Sequence, residues 1–165
     1  MKFPRAIRLD ESDLHVYDKA ATPGEWAVPG SFTFLDNDPA QLSGKHLQAF
    51  AHGFLGTESF GRSTLVQIAE ISDAEYQDVI NRLAQHFVER YGAPDTATAL
   101  PAAHEEASFA ASICEQAINT LLMVERKVEK EGIVERFKVV QPNAADHEKI
   151  KLWAFVNDER EDGNR

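Results

Sequence analysis

Eight residues come closest to a motif that does chemistry. Gly56-Thr57-Glu58-Ser59-Phe60-Gly61-Arg62-Ser63 has the spacing of a phosphate-binding loop, G-x-x-x-x-G-K-[ST], with Arg in place of Lys. That chemistry needs a strand before the loop and a helix after it, so that backbone amides and the helix dipole meet at the phosphates. Here the flanking pattern predicts a helix before and a strand after, and bulky Phe60 stands where small residues keep such a loop open. A glycine-rich helix-to-strand connection fits better than a nucleotide site. Asp36-Asn37-Asp38 begins like a calcium loop, but Pro39 follows at once. The sixth position is Gln41 instead of Gly, and the twelfth is Leu47 instead of Glu. The histidines, His15, His46, His52, His86, His104 and His147, never fall at the i, i+4 spacing of a helical zinc site, and one thiol makes no zinc knuckle. Cys114 follows Ile113 on an apolar helix face, which suits an inert buried thiol more than a nucleophile. No G-x-S-x-G elbow occurs. No cofactor or metal is therefore expected, and no residue can be named catalytic.

Three groups of residues remain as candidates. Trp26, His46, His52 and Arg62 cluster in sequence around the glycine loop and mix aromatic, imidazole and guanidinium groups as a small-molecule pocket does. Glu106 shares a helical stripe with Phe109, Ala110 and Ile113, and Arg126 shares a strand face with Leu122, Val124 and Val128. A buried charge needs a partner, so Glu106, Arg126 and Glu135 are candidates for buried ion pairing. The favoured reading is that Glu135 satisfies Arg126 while Glu106 emerges at the helix end; the alternative is a polar pocket between helix and sheet. His86 falls on the polar side of its helix and reads as solvated. Met123, Trp153 and Phe155 would place sulfur and aromatic groups on an outer sheet face, a composition enriched at interfaces.

The elements that must position these residues follow from periodicity and turn chemistry. Phe3, Ile7 and Leu9 suit one strand, Leu14 to Tyr17 a second, and Ser31 to Leu35 a third, with two Pro-Gly turns bracketing Trp26. A helix is expected from about Ser43 to Phe54 and a central strand from Ser63 to Ile71. Ser72 and Glu75 form a capping box opening a helix from Asp73 to Tyr91, which Gly92 and Pro94 stop. A further helix is expected to start near Pro101. Thr120 to Val128 and Ile133 to Val140 flank a hairpin turn; pairing Val128 with Ile133 sets Arg126 against Glu135 and Glu125 against Arg136. A last strand is expected over Lys149 to Val156. The order β-β-β-α-β-α-α-β-β-β predicts an α+β fold, mostly antiparallel, with helices packed on one face.

The 165 residues suit one domain, expected over residues 1–157 with a charged, fraying tail over 158–165. Seventeen basic and 27 acidic residues give a net charge of −10, and acids outnumber bases in each of the stretches 1–50, 51–100 and 101–165. Such a surface repels polyanions, which speaks against nucleic acid and anionic membrane as partners. A single cysteine, no apolar N-terminal run and no stretch of about 20 apolar residues lead to the expectation of a soluble cytoplasmic protein.

Glu25-Trp26-Ala27-Val28-Pro29-Gly30, Gly53-Phe54-Leu55-Gly56, Ser63-Thr64-Leu65-Val66-Gln67 and Phe109-Ala110-Ala111-Ser112 together resemble a family of small bacterial proteins of unknown function. The resemblance spans most of the chain and implies bacterial cytoplasm, with no activity or cofactor attached. Without a catalytic constellation, the favoured expectation is a homo-oligomeric accessory or interaction protein, partnered by itself or another protein, and an enzyme is less favoured. The alternative is a small-molecule-binding protein or small enzyme with a pocket near the Gly53–Arg62 loop.

Overall fold

A computed structural model describes residues 1–35 and 38–141. Along the chain run β1 (Lys2–Ile7), α1 (Ser12–Val16), β2 (Ala27–Val28), α2 (Gly44–His52), β3 (Phe54–Gly56), β4 (Arg62–Ser63), β5 (Leu65–Glu70), α3 (Asp73–Arg90), α4 (Thr96–Ser112), β6 (Leu121–Glu129) and β7 (Gly132–Val140). The fold is α+β, as expected. One antiparallel sheet has the order β1-β5-β6-β7 and a smaller one the order β2-β3-β4, with an Arg5–Trp26 bridge linking β1 to the residue before β2.

α3 forms where its cap and stripe place it. Ser72 Oγ accepts the Glu75 amide at 3.1 Å, and the Glu75 carboxylate accepts the Ser72 amide at 3.0 Å, so two otherwise orphaned donors are satisfied. Its buried stripe is Val79, Ile80, Leu83, Ala84 and Phe87. α4 presents Ala99, Ala103, Ala107 and Ala110 to the core, small enough for close approach to α3. It starts at Thr96 and not near Pro101, because Asp95 accepts the Thr98 amide at 2.7 Å and caps the helix earlier. Pro101 lies inside the helix.

Two expected strands are helical instead. Asp10 accepts both the amide and the hydroxyl of Ser12, at 2.9 and 2.7 Å, and turns Ser12–Val16 into α1. The Ser31–Phe34 segment is a short 3-10 helix because Gly30, at φ 75°, ends the extended path of β2. Phe32 then packs edge-on to Phe87 and Tyr91 while Phe34 packs on Phe50, so the two rings serve different neighbours. The α2 helix stops at His52, and Phe54 begins β3. The single strand expected over 63–71 divides at Thr64: Ser63 pairs with Phe54 in the small sheet, and Leu65–Glu70 pairs with β1 in the large one. Thr64 gives its amide and hydroxyl to Asp13 at 3.2 and 2.7 Å, which takes it out of both ladders.

The β6–β7 hairpin has the expected register: Val128 faces Ile133, Arg126 faces Glu135 and Glu125 faces Arg136. Glu125 makes its ion pair diagonally, with Lys138 at 3.2 Å. The strand expected over Lys149 to Val156, the tail over 158–165 and the Asp36-Asn37 dipeptide lie outside the described residues.

A candidate ligand cleft beside the glycine loop

The glycine loop does bind an anion, and the anion is the chain's own Glu25. The Glu25 carboxylate accepts the amides of Thr22 at 2.6 Å, Glu58 at 2.8 Å and Ser59 at 2.9 Å, together with the Ser59 hydroxyl at 2.6 Å. A Cβ on Gly56 would collide with that carboxylate, which is why glycine is required there. The phosphate-like spacing thus builds a small nest of amides already filled from within.

This clamp holds the loop so that Phe60 adopts φ 56°, in the left-handed region that a bulky side chain disfavours. Its ring lies flat on His86, with centroids 3.7 Å apart and 3° between planes. His86 is therefore half-buried and stacked, not solvated as its place on the helix suggested. Burial and neighbouring Arg90 hold its imidazole below the usual pKa, so it is neutral in the stack at neutral pH.

Behind Phe60 sit two buried arginines. Arg62 Nη1 donates to the Gly53 carbonyl at 3.0 Å, and Nη2 to the Gly30 carbonyl at 3.4 Å and to Thr33 Oγ1. Its guanidinium lies over the Phe34 ring, 4.8 Å from the centroid. Arg126 Nη1 donates to the carbonyls of Phe50 and Gly53, each at 2.9 Å, and Nη2 to that of Pro29. Arg126 Nε meets Glu135 at 2.7 Å, with side chains 0% and 12% exposed. The Glu106 carboxylate accepts the Gly30 amide at 3.0 Å, and burial pushes its pKa up.

The two cations are not equally compensated. Arg126 has Glu135, whereas among the described residues no carboxylate lies within ion-pair distance of Arg62. Burial first, and the charge of Arg126 second, lower the Arg62 pKa to about 9. Arg62, only 8% exposed, is a desolvated cation with no carboxylate in direct contact among these residues, Glu106 acting on it only from farther off.

Arg62 also forms the wall between two cavities. The wider, about 680 Å³, is lined by Leu55, Glu58, His86, Glu89, Arg90 and Tyr91, among others. The narrower, about 260 Å³, is lined by Tyr17, Asp18, Phe34, Lys45 and His46, among others. Lys19, Thr33, Phe60 and Arg62 belong to both. Lys19 is fixed next to Arg62 because its carbonyl accepts the Arg62 amide at 2.8 Å. Beneath the narrower cavity, Tyr17 Oη and Thr64 Oγ1 are 2.7 Å apart, and Thr64 continues the chain to buried Asp13.

Of the four expected pocket residues, Arg62 and His46 line the cleft, the latter exposed and 3.3 Å from Asp18. Trp26 is in the core, edge-on to Phe3 and under the Arg5 guanidinium at 4.5 Å. His52 turns away, with Nδ1 3.3 Å from the Val124 carbonyl. Of the interface candidates, Met123 is buried against Leu65 and Val140, while Trp153 and Phe155 lie outside the described residues. Lys19, Thr33, Phe60, Arg90 and Tyr91 were not legible as site residues, for they meet only through the segment before β2, the 3-10 helix after it, the loop and the end of α3. A bulky residue between Ser59 and Gly61 was their nearest signal.

Among the described residues no group of three or more His, Cys, Asp or Glu is placed to hold a metal ion, and no helix is long and apolar enough to cross a membrane. A family profile covers residues 1–158. The chain belongs to the family of unknown function DUF6505. The match spans the residues of both sheets and of the cleft. No curated protein and no solved structure matches the chain.

Proposed function

We propose that this DUF6505 protein is a small-molecule-binding protein whose ligand occupies the cleft around Lys19, Thr33, Phe60 and Arg62. The observation that carries the reading is Arg62: a buried guanidinium with no carboxylate in ion-pair contact among the described residues, at the junction of two cavities. The wider cavity falls in the range of about 300–1,000 Å³ typical of small-molecule sites. The strained backbone at Phe60, held by the Glu25 clamp, adds support, since such strain collects at ligand clamps.

A thermal-shift screen with metabolites, followed by amide NMR titration of any hit, tests the proposal. A ligand near saturation should raise Tm by about 5 °C. It should move the resonances of Leu55, Phe60, His86 and Tyr91 more than those of the β6–β7 turn. Hits whose shifts fall elsewhere, or a library without hits, would sink the reading.

A further inference from the structure

Building on that reading, we propose that the ligand is an aromatic acid, its acid group seated against Arg62 and Lys19 and its ring against Phe60. The shared wall of the two cavities holds two cations, one hydroxyl and one aromatic ring, and no carboxylate. The carboxylates that do line the cleft belong to one cavity each, Glu58 and Glu89 to the wider and Asp18 to the narrower. Asp18 is engaged by His46. Arg90 and Lys45 line the outer parts beside these acids, so the neck is set apart as the stretch with cations and no carboxylate.

A guanidinium out of water is a strong donor to a carboxylate or phosphate, and its desolvation has already been met in folding. The Arg62 amino groups are turned to Gly53, Gly30 and Thr33, which braces the cation and leaves its Nε proton, without a partner among the described residues, as the donor to the acid. Lys19 adds a second charge from the exposed side.

The ring assignment comes from Phe60. A phenyl group at φ 56° is disfavoured where glycine would fit freely, yet its ring is placed flat on His86 at the boundary of both cavities. Tyr91 and Leu55 extend the apolar surface. A flat unsaturated body makes the largest contact with such a wall, and offset or edge-to-face packing adds to it.

Three probes separate the parts of the inference: naphthoate, its uncharged twin naphthamide, and inorganic phosphate, each titrated by NMR into the full chain. Naphthoate should bind at the cleft about ten-fold or more tighter than naphthamide, and weaken as NaCl is raised. Lys19→Met, on the exposed side, should cost naphthoate about ten-fold and naphthamide nothing. Phe60→Gly should weaken both aromatic probes equally. Arg62 braces Gly53 and Gly30, so its own replacement would confound binding with folding. Equal binding of naphthamide would overturn the acid assignment, and phosphate binding as tightly as naphthoate would overturn the ring. Absence of naphthoate binding would overturn the inference altogether, and the metabolite screen would then decide separately whether the cleft takes any ligand.

Discussion

Glu25 is a carboxylate surrounded by four donors, and its replacement exposes the loop's dependence on it. Glu25→Ala strands the Glu58 and Ser59 amides in a half-buried turn. We expect a stability loss of about 3 kcal/mol, read as a lower urea midpoint with unchanged m. A loss under about 0.5 kcal/mol would mean that water replaces the carboxylate at no cost. Arg126 poses the complementary case, a fully buried cation with one carboxylate. Arg126→Met should cost about 3–5 kcal/mol, and Glu135→Met added to it should recover part of that, because the second change removes the abandoned anion. Independent, purely additive losses in urea titrations would argue against a coupled pair.

Capping and register were the features most legible from residue order. Ser72, Glu75 and the 3.6-residue stripe from Val79 to Phe87 act locally, so α3 could be read without knowing its neighbours. The hairpin was readable because Arg126–Glu135 and Glu125–Arg136 fall opposite one another in a single register. The short segments failed for the opposite reason. Leu14 to Tyr17 alternates like a strand, yet Asp10 and the distant Thr64 decide its shape. Ser31 to Leu35 is β-rich by composition, yet Gly30 redirects it. The cleft inherits this limit, since its walls come from segments far apart in sequence. At this scale the cap of α3 is a clean test: Ser72→Ala should lower stability by about 1 kcal/mol, measured by urea unfolding. A change within about 0.2 kcal/mol would show that the capping box contributes nothing net.

Across the whole molecule, pH acts through carboxylates that burial has shifted. Glu106 titrates above its usual 4.5. Between the unfolded and the raised folded pKa the folded chain binds more protons, so this group's contribution to stability rises as pH falls through that window. Glu106→Gln keeps an acceptor for Gly30 but no longer titrates. The wild type should therefore gain on the variant in Tm as pH is lowered from neutral toward the usual 4.5. A difference that stays flat would show that Glu106 is not strained by its charge. α2 buries only Phe50, and its end is held by the Arg126 bonds to the Phe50 and Gly53 carbonyls. Such an element should open on its own, well below the free energy of global unfolding. Amide hydrogen exchange would then show α2 as a separate low-energy unit beside a slowly exchanging α3. The narrower cavity, walled in part by Lys45, His46 and Ala49 of α2, would widen at each opening without disturbing the core.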